Sequence, residues 1–314
     1  MADTKVDPRS RDVRDDEILA PGHRACPGCG TAIAIRTVMR VVGRRVIVVT
    51  ATGCLETFTS PHGYSAWEVP WVHSLFENAP AVASGVAAAL RYLGRTGVPV
   101  VAIGGDGSSF DIGFGALSGM LERGDDVLYV CYDNEGYMNT GFQRSGATPY
   151  GASTSTTPAA AGSLGKTEHK KDLARLVLDH DIPYVATASI AFPADLMAKV
   201  RRALAIKGPR YIQIHCPCCL GWGFDPSETV RIARLGVQCG LVPIWEQERN
   251  TPRKSLAVRN PVPVEEYLRA QKRFSHLFDG SEEGRRVIRE IQLIANRNLE
   301  DMSASLSGAG TSEG

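Results

Sequence analysis

Across 314 residues, 35 Lys and Arg side chains stand against 34 Asp and Glu, a formal charge of +1 at pH 7. That balance offers no basic face to nucleic acid or to an anionic membrane, and the longest nearly apolar stretch, Ala79–Leu90, falls short of the roughly 20 residues that span a bilayer. With 43% hydrophobic and 22% charged residues, and a charged N-terminus lacking the apolar centre of a signal peptide, the chain reads as an enzyme-sized globular protein of the cytoplasm.

In chain order, residues 1–20 read as a polar arm. Residues 21–245 read as one domain, 246–302 as a C-terminal extension with helices, and 303–314 as a disordered tail. Within the domain, strands are predicted over Arg45–Ala51, Val98–Gly104, Val127–Tyr132, Tyr184–Ala188 and Arg210–His215. Helices are predicted over Thr31–Val42, Asn78–Leu93, Gly113–Arg123, Lys170–Asp179, Ala194–Ile206 and Pro226–Cys239, and another over Glu283–Met302 in the extension. In the first helix Arg36, Arg40 and Arg44 recur every fourth position and mark one polar stripe. Short apolar β-branched strands separated by helices predict an α/β fold: a doubly wound, mostly parallel sheet with helices on both faces. The segment Asn134–His169, rich in Gly, Ser, Thr and Ala, lacks either periodicity, and a loop that long in a compact domain is usually functional.

Two constellations carry chemistry. The first lies in a β-α-β unit whose strands end at Gly104-Gly105-Asp106-Gly107 and at Asp133-Asn134. A crossover can bring both ends to one rim of the sheet, where a carboxylate and an amide oxygen can share a hard cation such as Mg²⁺. Glycines there would let phosphate oxygens approach the backbone. Alone, Gly-Asp-Gly is more often a turn and Asp-Asn a strand end; the spacing within one unit is what joins them.

The second constellation is made of thiols. Cys26 and Cys29 form C-x-x-C before a helix, Cys54 follows one strand, and Cys216, Cys218 and Cys219 follow another. Such groups, in a chain with no export signal, point to a metal or redox site rather than to structural disulfides. A thioredoxin-like dithiol, a structural zinc and an iron–sulfur cluster all remain readings of these thiols. Cys131 and Cys239, in apolar surroundings, read as core residues.

The G-D-G…N spacing resembles the pyrophosphate–Mg²⁺ motif of thiamine diphosphate enzymes. With CPGCG, ATGC, VPWVHSLFENA, DNEGYMNTGFQRSGATPYGAST and CPCC-x-GWG, the chain resembles the β subunit of 2-oxoacid:ferredoxin oxidoreductases over about residues 20–245. The resemblance implies the pyrophosphate-type thiamine-binding fold. It implies Asp106, Asn134 and the Gly136 carbonyl as Mg²⁺ ligands, with Gly105, Gly107, Asn139 and Thr140 beside the thiamine diphosphate. It also implies Cys26, Cys29, Cys54 and Cys218 as ligands of a [4Fe–4S] cluster, Cys218 being chosen over Cys216 and Cys219 because it follows Pro217.

The expected activity is oxidative decarboxylation of a small 2-oxoacid, oxalate favoured and pyruvate (with coenzyme A) the alternative, with single electrons passing through the cluster to ferredoxin. α-, γ- and δ-type partner subunits would supply further clusters and the Glu that activates the aminopyrimidine, so no catalytic base is assigned to this chain. A non-catalytic electron-transfer subunit would not need the Asp106–Asn134 pair, and a cluster-free thiamine enzyme would not need the four cysteines. His62, His73, His215, Glu77, Asn78 and Thr148–Thr157 are secondary candidates, each with an ordinary structural role as the competing reading.

Overall fold

The computed structural model describes residues 17–61, 64–160 and 162–307. Most of the expected polar arm, the candidate His62 and the end of the expected tail lie outside them. Helix α1 (Gly30–Val42) leads into β1 (Ile47–Ala51), α2 (Cys54–Thr59), β2 (Trp71–Ser74) and α3 (Ala79–Tyr92). Next come β3 (Val100–Gly105), a π-helical turn (Gly107–Ile112), α4 (Phe114–Glu122) and β4 (Val127–Asp133). Among its described residues, the long segment after β4 holds only the two-residue strands β5 (Ala159–Ala160) and β6 (Ser163–Leu164). The chain continues through α5 (Leu173–Leu178), β7 (Tyr184–Ser189), α6 (Pro193–Ala205), β8 (Arg210–His215), α7 (Cys219–Trp222) and α8 (Thr229–Gln238). It ends with β9 (Trp245–Glu248), β10 (Lys254–Ser255), α9 (Val264–Arg269), a 3₁₀ segment (Lys272–Phe278) and α10 (Glu282–Ser307).

One eight-stranded sheet in the order β10-β9-β7-β8-β4-β3-β1-β2 organises the molecule. Strands β7, β8, β4, β3, β1 and β2 run parallel; β9 pairs antiparallel with β7, and β10 with β9. The central strands β3 (VVAIGG) and β4 (VLYVCYD) are buried along their whole length, as strands covered on both faces must be. One face carries α1 and α6 over Val48, Ile103 and Val130; the other carries α3, α4 and α5 over Val49, Ala102 and Tyr129. A third apolar cluster, around Trp222, Ile232, Leu268, Phe274 and Ile291, joins α7 and α8 to the C-terminal helices.

The arginine stripe, of which Arg36 and Arg40 lie on α1 and Arg44 just beyond its end, has a specific task. Arg36 and Arg40 both bind the Glu17 carboxylate, and Arg44 reaches Glu68 at 2.8 Å. The hydrogen bond from Arg36 leads the interactions that hold the Glu17 carboxyl below its usual range. Ile18 and Leu19 are buried in the core beside them, so the end of the expected arm is packed structure.

Several boundaries differ from the sequence expectation. The sequence reading omits β2 and α2, which are short and separated by a stretch bounded by Pro61 and Pro70. Helix α5 begins at Leu173, where Asp172 caps it by accepting from the Arg175 N–H at 3.1 Å. Lys170 and Lys171, placed in that helix by periodicity, serve other partners. Helix α10 runs to Ser307, through the first residues of the expected tail. The expected boundary at 245 falls on the first residue of β9, a strand of the main sheet.

Candidate functional site

The strands β8, β4, β3 and β1 are consecutive neighbours in the sheet. Cys218, Asn134, Asp106 and Cys54 follow the carboxyl ends of these four strands. The carboxyl rim of a parallel sheet is where loops and helix starts converge on ligands. Residues spread over 165 positions of sequence are thereby brought to one edge.

On the oxygen side, Asp106 is 1% exposed. It accepts hydrogen bonds from Ser145 Oγ at 2.6 Å and from the Asn134 N–H at 3.3 Å. Burial first, and then the charge of Asp133, push its carboxyl well above the usual carboxylate range. A carboxylate in that position gains most from a bound cation. The end of the Asn134 side chain lies 2.9 Å from both the Gly136 carbonyl oxygen and Asp106 Oδ1. With its nitrogen turned inward, the amide donates to both. With its oxygen turned inward, that oxygen stands 2.9 Å from each of the other two, the edge length of a Mg²⁺ octahedron, about 2.9 Å for bonds of 2.0–2.1 Å. The Gly136 carbonyl also accepts the Met138 N–H at 3.0 Å, which its second lone pair allows. The residues present therefore fit a small hard cation.

A cavity of ≈ 310 Å³ opens beside these oxygens. Its walls include Gly105, Asp106, Gly107, Asn134 and Gly136, and also Asn139 and Thr140, so the expected cofactor residues share one hollow. Cys54 lines it too. The glycines of the first motif have a packing reason that the sequence does not reveal. A Cβ on Gly104 would stand 2.4 Å from the Tyr129 hydroxyl, and one on Gly107 would stand 2.6 Å from the Tyr137 ring. Tyrosines of this chain occupy the space that a side chain would need. After Asp106 the backbone takes a π-helical turn, a local widening often found at functional sites.

On the thiol side, Cys54 lies near enough to Cys218, Cys29 and Cys26 for each to add to the burial that raises its pKa. Burial likewise pushes Cys29 up, and Cys218 to about 11. Cationic iron or another metal is what would hold such thiols as thiolates. Cys26 is exposed, and Cys29, Cys54 and Cys218 are half-buried. Cys216 is fully buried and donates to the Ile214 carbonyl at 3.1 Å, whereas Cys219 donates to the Pro27 carbonyl at 3.2 Å. Among the described residues, no three His, Cys, Asp or Glu side chains converge on a single metal point. A four-iron cluster needs no such point, because each thiolate binds its own iron. The oxygen site combines one carboxylate with an amide and a carbonyl.

Sequence reasoning missed the groups behind the oxygen site. Lys170 Nζ bridges Asp133 at 2.6 Å and Glu135 at 2.9 Å, and Arg273 Nη2 meets Glu135 at 2.6 Å. Burial opposes charge on Glu135, yet Lys170 and Arg273 bring its carboxyl down to about 2. Thr148, a candidate for lining a channel, instead donates from Oγ1 to the Glu135 carbonyl at 2.8 Å. His215 is buried against Trp222 and pushed down to about 3 by that burial, so it is neutral. His73 is exposed within β2, 2.8 Å from Thr52 Oγ1. Asn78 accepts from Ser74 Oγ at the start of α3. Spacing could not reveal the ionic partners, since Arg273 is 138 residues from Glu135.

A family model described as the C-terminal, thiamine pyrophosphate-binding domain of thiamine pyrophosphate enzymes matches residues 50–214. The chain is 53% identical to pyruvate synthase subunit PorB of Methanosarcina barkeri, over 90% of this chain and 95% of the relative. It is 43% identical to ketoisovalerate oxidoreductase subunit VorB of Pyrococcus abyssi, over 83% and 86%. Among solved structures, 2-oxoglutarate:ferredoxin oxidoreductase from Magnetococcus marinus, with 2-oxoglutarate, coenzyme A and succinyl-CoA bound, aligns at a TM-score of 0.57. That alignment has 26% identity and covers 65% of this chain and 67% of the other. Among the described residues, no helix is long and apolar enough to cross a membrane.

Proposed function

The chain belongs to the thiamine diphosphate-dependent 2-oxoacid:ferredoxin oxidoreductases as a β-type subunit, and from that premise we propose that it serves a pyruvate:ferredoxin oxidoreductase. The oxalate preference expected from the sequence is replaced by pyruvate, because the relatives at 49–53% identity are named pyruvate synthase subunits. The observation that carries the site reading is the meeting of Asp106, Asn134 and Gly136 oxygens at the spacing of a cation's ligands, beside a cavity that Cys54 also lines.

In this reading Asp106, Asn134 and the Gly136 carbonyl hold Mg²⁺ and, through it, the diphosphate. Gly105 and Gly107 form the floor, and Asn139 and Thr140 the outer wall. Cys26, Cys29, Cys54 and Cys218 hold a [4Fe–4S] cluster. When bound, thiamine diphosphate supplies the nucleophilic carbon and electron sink for decarboxylating a 2-oxoacid, and the cluster accepts single electrons on their way to ferredoxin. This chain contributes position and electrostatics. It neutralises the diphosphate through the cation, excludes water with the Phe76, Tyr137 and Met138 walls of the cavity, and keeps the thiols at the same rim. The activating Glu is assigned to a partner subunit, which makes the active site a shared one.

The test is turnover by the purified complex with pyruvate or oxalate, each with and without coenzyme A, using an artificial one-electron acceptor. Pyruvate oxidation that requires coenzyme A is the expected result. Oxalate oxidation without coenzyme A would restore the other substrate, and absence of bound thiamine diphosphate in the active complex would overturn the site reading.

A further inference from the structure

Residues 134–136 carry two of the three oxygens that meet at the rim, and Glu135 between them has a left-handed backbone, φ 66°. That conformation costs a non-glycine residue about 1–2 kcal/mol, so something must hold it. The holding groups are all behind the loop. Glu135 gives both carboxylate oxygens to cations, Oε1 to Lys170 at 2.9 Å and Oε2 to Arg273 at 2.6 Å. Its N–H is taken by Asp133 Oδ1 at 3.1 Å. The Asn134 carbonyl accepts the Trp222 indole N–H at 2.9 Å. The Arg273 guanidinium lies over the Trp222 ring, 3.7 Å from its centroid, so one residue braces both the carboxylate and the indole. Trp222 and Arg273 both lie outside residues 50–214, and Arg273 belongs to the C-terminal extension.

We infer that Glu135, Trp222 and Arg273 form a positioning unit for the divalent cation, setting its affinity without touching it. The inference rests on the cation-site reading given above. It makes the C-terminal extension part of the cofactor site: with the Asn134 and Glu135 carbonyls tied back, the Asn134 side chain and the Gly136 carbonyl are left facing Asp106. Groups that orient ligands in this way usually change metal affinity about 10–100-fold when removed.

The experiment follows thiamine diphosphate binding to the assembled complex by calorimetry while Mg²⁺ is titrated. Trp222→Phe keeps a ring and deletes the donor; Glu135→Gln keeps the shape and deletes the charge. In Trp222→Phe the Mg²⁺ concentration for half-maximal cofactor binding should rise about 10–100-fold, with full binding recovered at excess Mg²⁺ and iron content unchanged; the melting temperature should fall, because Trp222 is fully buried, with the complex still folded at the assay temperature. Glu135→Gln should shift the midpoint in the same direction. An unchanged midpoint in Trp222→Phe overturns the inference, as does a loss of binding that excess Mg²⁺ does not restore. Asp106→Ala separates the two levels. If it leaves Mg²⁺-dependent binding intact, the cation-site reading fails; if it abolishes binding while Trp222→Phe has no effect, only the positioning unit fails.

Discussion

The oxygen side and the thiol side of the rim are built in opposite ways. Asp106, Asn134 and Glu135 are all at most 4% exposed, and their polar groups are tied to named side chains from four separate parts of the chain. The thiol side is open: Cys26 is exposed, and Cys29, Cys54 and Cys218 are half-buried. There the backbones touch directly. A Cβ on Gly30 would come within 2.5 Å of the Pro217 carbonyl, and one on Gly28 within 2.3 Å of the Pro226 carbonyl. Thr229 Oγ1 also donates to the Gly28 carbonyl at 2.7 Å. The contrast suits the two groups proposed for the rim: a hard cation with near-octahedral demands would gain from ligands fixed in advance, whereas a cubane would bring its own rigid geometry and need thiolates spread around it.

The largest effect should come from Asp106→Ala. It removes the only carboxylate of the proposed cation site, and thiamine diphosphate affinity measured by calorimetry should fall by about 100-fold or more. Iron content should stay near that of the unaltered complex if the two sides are built independently; joint loss would break the comparison. Cys218→Ser should lose or alter the cluster, read as iron content and visible absorption, while Cys216→Ser should keep it, because Cys216 faces Ile214 inside the core. The reverse result would move the fourth ligand.

Gly30→Ala probes the backbone contact on the thiol side. The new methyl would press on the Pro217 carbonyl, an atom with little freedom to move. A loss of about 1–3 kcal/mol in denaturant unfolding, with reduced iron loading, is expected. An unaffected variant would show that the knuckle gives way easily.

The last effect is absent near neutral pH and grows only in acid. His215 stays neutral in the fold, its pKa pushed by burial down to about 3, so the unfolded chain binds a proton there that the folded chain does not. Its contribution to stability is complete above the unfolded pKa of about 6.5. As pH falls from there towards 3, that contribution should be lost at about 1.4 kcal/mol per pH unit. Comparing urea midpoints at pH 7 and pH 5 should show a shallower loss in His215→Phe than in the unaltered protein. Equal losses would assign the acid sensitivity elsewhere.

The amino-acid sequence by itself determined the fold class and the membership of the rim. Runs such as VVAIGG and VLYVCYD, short, β-branched and set between helical patterns, read as strands covered on both faces, and their polar ends, Asp106 and Asp133-Asn134, then emerge at the sheet's edge. The cysteine groups were legible for the same reason, each following a strand or preceding a helix. Tertiary structure alone decided which strands are neighbours, and thus that Cys54, Asp106, Asn134 and Cys218 stand in one row. It also decided what the glycines and lysines are for. Gly107 makes room for a tyrosine of its own chain, and Lys170 leaves a helical pattern to join Asp133 and Glu135. Periodicity reports which face of an element is buried, because that depends on neighbours a few residues away. Ion pairs and ring contacts between distant segments depend on how the layers close, and Arg273 reaching back to Glu135 leaves no mark in any local pattern.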